Sequence, residues 1–448
     1  MKSRYTLYTL LTAAILAAIA GFAADIKNTG RYGGVDLRNR VTAARVAAEL
    51  KQDPYFYKWS PSSAKAPAGK PTQSDRYLDP SDNTAIPVAR VTVPPTVLLF
   101  HNLVSPLPYS TQRWIWFFFQ WALFLGTIYL LSRRAETREG KIAIWILALL
   151  FIAGSQFFRL HVERGQIYLL YTFLFALTLD LFAREKTTAS ALVLGYLISL
   201  RAPFIFALIP FLLYKKFSFV SFVAGGALLS VLLTGLFFPL NLWKSYEQSA
   251  AFQGAMRANP STNFASPGVD IAEGMNIRAF LSVPGEDSSL QRIIRSVTGV
   301  WIDGAMLALL LIIATAMLAF FVYRSRNWIP AGVYPPPADG MTDRIFLMGI
   351  TFTMLAELFI PAPRWPYADV IWLIPLALML KKMGTAPRGA LRSTVLGLML
   401  AGLALNTGVH GISRLTLLGE GLFIASLLLA FALPDTESAA VQANTAQA

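Results

Sequence analysis

The sequence predicts an all-α protein that crosses a membrane about ten times, and three observations carry that prediction. Apolar residues make up 55% of the 448 residues and charged ones only 14%, a balance that soluble chains rarely show. The apolar residues gather in runs of about 20, enough to cross a hydrocarbon core of ~30 Å at ~1.5 Å per residue. The Lys and Arg residues sit in short clusters between those runs rather than along one polar face.

Taken in order, the runs lie near 5–24, 112–131, 142–158, 166–183, 217–238, 300–323, 344–360, 367–380, 391–409 and 414–433. The first follows Lys2 and Arg4 and also has the form of a secretory signal, with Ala18-Ile19-Ala20 as its cleavage pattern. It is read as a retained first helix, and both readings send residue 25 outward. Segment 188–214 is too long for one straight span and too short for two. Basic residues flank both of its ends, Arg184 and Lys186 before it and Lys215 and Lys216 after it. A re-entrant pair of half helices turning at Arg201-Ala202-Pro203 satisfies both facts.

The positive-inside rule orients the chain. Lys2/Arg4, Arg133/Arg134/Arg138/Lys141, Arg184/Lys186, Lys215/Lys216, Arg324/Arg326/Arg344 and Lys381/Lys382/Arg388/Arg392 all fall on one side, which makes both termini cytoplasmic. The opposite side receives two long polar loops, 25–111 and 239–299. In the first, Leu37, Val41, Ala44 and Ala48 recur at helical spacing opposite Arg38, Arg40, Arg45 and Glu49, the pattern of a helix lying on a membrane surface. Residues 58–94, rich in Pro, Ser and Lys, read as a mobile loop, and 94–108 as a second interfacial piece. Residues 1–433 thus form one membrane domain, followed by a polar, disordered cytoplasmic tail at 434–448.

A net charge of +14 distributed as topology signals gives no nucleic-acid footprint. Without cysteine there are no disulfides, no thiolate catalysis and no Cys-based metal site. The three histidines, His101, His161 and His410, are scattered, no Asp-x-Asp occurs, and no Gly-rich phosphate loop appears. The sequence therefore predicts neither a metal nor a cofactor, and no ATP-driven work.

With the topology set, the unusual polar residues near span ends share the outer side: Asp36, His161 through Gln166, Arg201, Asn276 with Arg278, Arg364 with Tyr367 and Asp369, and His410. A common outer pocket accounts for them. An arginine within a membrane segment costs at least ~2.5–3.5 kcal/mol unless an anion or water offsets it. Arg201 is thus expected to meet something negative, and its planar fork suits a phosphate. Asp36 has two readings, a helix N-cap after Gly33-Gly34 or a general base at the membrane surface. Asp53-Pro54-Tyr55 ends the surface helix and begins a turn.

Four places in this arrangement resemble the GT-C superfamily of membrane glycosyltransferases, and within it the family that includes the polyprenyl-phosphate-mannose-dependent alpha-mannosyltransferases. They are Asp36 with Asp53-Pro54-Tyr55 downstream, Gly165-Gln166 opening a span, Leu200-Arg201-Ala202-Pro203 ahead of Lys215-Lys216, and Asn276-Ile277-Arg278-Ala279-Phe280-Leu281. One departure is the late outer turn, Pro361-Ala362-Pro363-Arg364-Trp365-Pro366-Tyr367, which keeps the family's Trp but lacks its His. Arg364 takes the place of a titratable phosphate partner there.

The resemblance implies a GT-C-like fold and an inverting transfer at the outer face of a bacterial inner membrane. The sugar, mannose or another hexose, would pass from a polyprenyl-phosphate donor to a hydroxyl of a lipid or glycan acceptor, among membrane lipids. It implies Asp36 as general base and Arg201, Arg278 and Arg364 around the donor phosphate. His161, Glu163, Gln166, Asn276 and Tyr367 would contact substrate. A transporter or flippase for a lipid-linked sugar is the alternative, since re-entrant half helices and buried arginines suit translocation as well.

Overall fold

The computed structural model describes residues 2–31, 34–55, 91–258, 289–326, 338–361, 364–386, 389–408 and 413–433. Every regular element among them is helical: α1 (Lys2–Arg31), α2 (Val35–Ala48), α3 (Pro95–Asn102), α4 (Tyr109–Ser132), α5 (Arg138–Leu147), α6 (Gln156–Arg164), α7 (Tyr168–Ala183), α8 (Thr187–Leu200), α9 (Leu208–Leu213), α10 (Phe217–Phe237), α11 (Leu242–Ala258), α12 (Leu290–Thr298), α13 (Gly304–Arg326), α14 (Ala338–Phe359), α15 (Leu373–Thr385), α16 (Ala390–Gly408) and α17 (Ser413–Phe431). A π turn at Ala148–Ala153 and 3-10 turns at Ala202–Ala207 and Pro366–Trp372 interrupt them.

The structure realises the predicted spans unevenly. Among the described residues four helical stretches are long and apolar enough to cross a bilayer alone: Tyr5–Gly30, Tyr109–Ser132, Phe217–Phe237 and Gly304–Phe321. Phe157–Arg164 and Tyr168–Ala183, which meet at 108°, pass the same test only as a pair, the mark of a broken span or a re-entrant loop. The late runs become shorter apolar helices, Ala390–Asn406 and Leu418–Phe431. Leu228, Leu232 and Leu236 on α10, and Ile312 and Met317 on α13, point outward, as side chains facing lipid do.

The turn predicted at Arg201 is present. Helix α8 packs antiparallel to α7: Ser190 Oγ donates to the Thr178 carbonyl at 2.8 Å near one end, and the Tyr171 hydroxyl meets the Leu200 carbonyl at 3.5 Å near the other. Arg201 then leaves the helix in an extended conformation (φ −149°, ψ 101°), and Pro203 sits at the start of the 3-10 turn that follows, where its missing N–H costs nothing. The chain returns through the 3-10 turn and α9. Phe204 lies against Phe175 (5.8 Å), and Phe211 lies against Phe182 (5.5 Å) and stacks on Phe219 (4.3 Å). The segment therefore comes back to the level it left. Gly195 lets α10 approach α8, because a Cβ there would lie 2.3 Å from the Val223 carbonyl oxygen.

The basic clusters meet at that same end. Asp343 Oδ1 accepts from Arg134 and its Oδ2 from Lys381 (2.5 Å), while Asp180 pairs with Arg184 (2.8 Å) and reaches Arg133 (4.0 Å). At the opposite end α2 and α3 form a plug.

The surface-helix reading of α2 needs correction: Leu37, Val41 and Ala44 are buried as expected, but so are Arg38, Arg40 and Arg45. The arginines face protein groups instead of a polar surface. Arg45 donates to the Ser105 and Leu107 carbonyls (2.6 and 2.8 Å), and Arg38 covers the Tyr109 ring at 4.6 Å.

The Asp53-Pro54-Tyr55 turn forms as expected, with the Tyr55 N–H donating to Asp53 Oδ1 at 2.8 Å. It drives the Tyr55 ring under the plug beside Tyr246 (5.7 Å), where burial holds its phenol well above the ordinary value. Burial also lowers the His101 imidazole to about 3, so it stays neutral in the plug.

Candidate active site

The site grows from the break between α6 and α7. Gly165 ends α6 in the left-handed conformation (φ 68°), and a Cβ there would lie 2.6 Å from the Leu37 Cβ. Only glycine both turns the chain here and admits α2. Arg113 fixes the turn by donating to the Val162 and Glu163 carbonyls (3.1 and 2.7 Å). The next residue, Gln166, is thereby aimed at the start of α2.

Asp36 is not the N-cap of that helix. Gly34 occupies the cap, and Asp36 lies in the first turn with its carboxylate directed at the α6–α7 break. Its Oδ2 accepts from Arg164 Nε (2.6 Å) and Gln166 Nε2 (2.5 Å). Arg40, one helical turn along, donates to Gln166 Oε1 (2.5 Å) and to the Gly165 carbonyl (3.0 Å). Gln166 is thus locked in one orientation. Asp36 Oδ1 has no hydrogen-bond partner among the described residues, and the side chain is 18% exposed.

From Asp36 an aromatic path leads to the tip of the half-helix hairpin. The Arg164 guanidinium lies over the Trp365 and Tyr367 rings (5.7 Å to each), and Tyr367 meets Tyr168 at 5.8 Å. Tyr168 in turn lies 5.4 Å from the Arg201 guanidinium. The anion expected for Arg201 is Glu357, close to the C-terminus of α14, whose Oε1 and Oε2 accept from Nε and Nη2 at 2.8 and 2.5 Å. Such a two-point pair is the geometry in which Arg binds carboxylate best. The third nitrogen, Nη1, has no partner among the described residues, and the side chain is 28% exposed.

The other expected site residues divide. Gln166 and Tyr367 sit in the cluster, and Glu163 is half-buried at its edge beside Arg164. Arg364 lies one step behind, between Asp369 (2.7 Å) and Glu420, with Asn406 Nδ2 donating to the same Asp369 at 2.7 Å. This network ties the turn that carries Tyr367 to α16 and α17.

His161 needs correction, because it is fully buried and both ring nitrogens are engaged within the chain: Nδ1 pairs with the Gln120 amide (2.8 Å) and Nε2 accepts from the Leu169 N–H (3.2 Å). It braces the α6–α7 break rather than facing a ligand. Asn276, Arg278 and His410 lie outside the described residues.

Arg40, Tyr168 and Glu357 were not singled out from sequence as site residues. Two signals could have found them. Arg40 follows Asp36 at i,i+4 and must share its face. Glu357 is a lone carboxylate in the run 344–360, and such residues mark sites by default.

One end of this helical membrane protein therefore gathers a half-held carboxylate, a half-held guanidinium and aromatic faces between them. That set suits proton removal beside an anionic, ring-bearing ligand. Neither a curated protein nor a solved structure matches the chain. A family model does, over residues 92–333, more than half of the sequence and including the α6–α7 break and the Arg201 hairpin. By that match the chain belongs to glycosyltransferase family 87, a GT-C-like family of membrane glycosyltransferases.

Proposed function

We propose that the protein transfers a hexose, mannose or another, from a polyprenyl-phosphate donor to a hydroxyl of a lipid or glycan acceptor, with inversion at the anomeric carbon. The observation that carries this reading is the state of Asp36. One carboxylate oxygen is fixed by Arg164 and Gln166 and the other has no hydrogen-bond partner among the described residues, while Arg164 lies over the Tyr367 ring, from which Tyr168 leads to Arg201.

The acceptor hydroxyl gives its proton to Asp36 Oδ1 as its oxygen forms a bond to the anomeric carbon. The bond from that carbon to the phosphate oxygen breaks, and the phosphate leaves with the electron pair. A phosphate is a stable leaving anion, so a second carboxylate acting as acid is not needed, in contrast to glycoside hydrolysis. What the phosphate needs is positive charge, and Arg201 Nη1 supplies it directly. Arg364 adds its field from behind Glu357, and Arg278 completes the proposed set. Gln166, Tyr367 and Glu163 line the space for sugar and acceptor, with Asn276 as a further contact. In this reading the end that carries the site faces outside a bacterial inner membrane and both termini are cytoplasmic, an orientation that the one-sided basic clusters support.

The test is turnover by purified full-length protein in proteoliposomes, offered polyprenyl-phosphate hexoses and, separately, nucleotide sugars. Glycoside product from the lipid donor alone is expected. Movement of the intact donor across the bilayer without glycoside product would replace this reading with the flippase one.

A further inference from the structure

Glu357 is the least expected charge in the cluster. It lies between Ala356 and Leu358 near the end of an apolar helical stretch, is 12% exposed, and grips Arg201 through both oxygens. Among the described residues, Arg364, Tyr168 and Tyr171 also lie in electrostatic reach of it. A carboxylate facing a phosphate site weakens anion binding, so its presence there needs a reason.

The charge balance of the reaction supplies one, and it rests on the function proposed above. The donor phosphate is a diester with one negative charge. When the bond to the sugar breaks, the lipid keeps a phosphate monoester, which carries close to two negative charges at neutral pH. The proton meanwhile has gone to Asp36, so total charge is conserved and one negative charge has moved from Asp36 to the phosphate, next to Glu357.

We propose that Glu357 makes the site discriminate between the two esters, holding Arg201 so that Nη1 donates to a singly charged phosphodiester while the Glu357 charge repels the doubly charged monoester. Glu357 is a positioning and selectivity residue that acts after bond breaking, and its effect is to speed product release. Without it, Arg201 and the nearby Arg364 would hold the product lipid more tightly than the donor, and the enzyme would be trapped by its own product.

The test titrates full-length protein in detergent with a short isoprenyl phosphate and with its methyl diester, on either side of the second phosphate ionisation at about pH 6. In the wild type the monoester weakens by roughly tenfold as it gains its second charge, the size expected of one like charge nearby, while the diester is unchanged. In Glu357→Gln that loss disappears and the polyprenyl phosphate product inhibits turnover at a roughly tenfold lower concentration. Glu357→Asp keeps the wild-type pattern.

Equal monoester binding on both sides of the ionisation in the wild type would overturn the proposal, as would an unchanged ester ratio in Glu357→Gln. The wild-type series decides even if that variant does not fold. If the diester binds and sugar is transferred but the ratio does not respond, only the role of Glu357 fails. If neither ester binds and no sugar is transferred, the reading of the whole site fails with it.

Discussion

Replacing Asp36 by Asn separates chemistry from architecture at the centre of the site. In the structure Oδ2 accepts from Arg164 Nε at 2.6 Å and from Gln166 Nε2 at 2.5 Å. The Asn carbonyl oxygen can take both N–H groups, so what is lost is the charge. A hydrogen bond to a charged group contributes ~1.5–3 kcal/mol and a neutral one ~1 kcal/mol, which puts the structural cost for the two bonds at about 1–4 kcal/mol. Loss of a general base slows turnover by about 10²- to 10⁴-fold, or ~3–5 kcal/mol of activation free energy. The structural loss is read in unfolding and the catalytic one in turnover, so a control that shares the first isolates the second.

Arg164→Gln is the control, because it breaks the same ion pair but leaves the carboxylate in place. Initial rates at saturating donor, with thermal unfolding in detergent alongside, should show Asp36→Asn folded and nearly inactive. Arg164→Gln should be similarly destabilised but at least tenfold more active than Asp36→Asn. Equal rates in the two variants would show that the ion pair, and not proton removal, is what activity requires, and the assignment of Asp36 as base would be withdrawn.

Three further outcomes are expected. Arg201→Lys should bind donor more weakly than wild type but more tightly than Arg201→Ala, since an ammonium keeps the charge and loses the fork that Glu357 holds; equal affinities in the two variants would argue against a phosphate contact. Gly165→Ala forces a Cβ into a left-handed turn, at ~1–2 kcal/mol, and against Leu37, so it should lower the unfolding temperature and displace Gln166 enough to reduce turnover; a fully active variant would show that the break is not what aims Gln166. Arg364→Gln leaves Asp369 and Glu420 buried without their cation, a loss of about 3–5 kcal/mol, and adding Glu420→Gln should restore part of the unfolding temperature.

What could be read from the sequence depended on how local each cause is. The basic clusters and the length mismatch of 188–214 are properties of single segments, and they led to the hairpin at Arg201 and to the gathering of Arg133, Arg134 and Lys381 at one end. Asp36 and Gly165-Gln166 were visible as unusual residues, but their pairing spans 130 positions and follows from no pattern in either segment. The arginines of α2 misled because helical periodicity separates apolar from polar residues and not water from protein: Arg45 finds backbone carbonyls of the turn after α3, partners that carry no sequence signature. His161 looked like a ligand-binding residue because a polar group near a span end is rare. Its actual partners, Gln120 and the Leu169 N–H, show a broken helix needing the same chemistry as a bound substrate.

The hairpin that ends at Arg201 has a depth. Helix α8 rises from the basic end through Thr187–Leu200, 14 residues, or about 21 Å, against a hydrocarbon core of ~30 Å. If α8 starts at the hydrocarbon boundary and runs along the membrane normal, Arg201 stops about 9 Å short of the far boundary, near which the phosphate of the proposed lipid donor would rest. That donor would then have to sink toward the midplane to engage Nη1, or the bilayer would have to thin around the protein, as membranes do beside short hydrophobic elements. Catalysis is thereby coupled to the material in which the protein is dissolved. Turnover in vesicles should rise as acyl chains shorten, and a thick, stiff bilayer should slow the enzyme without touching any residue of its site.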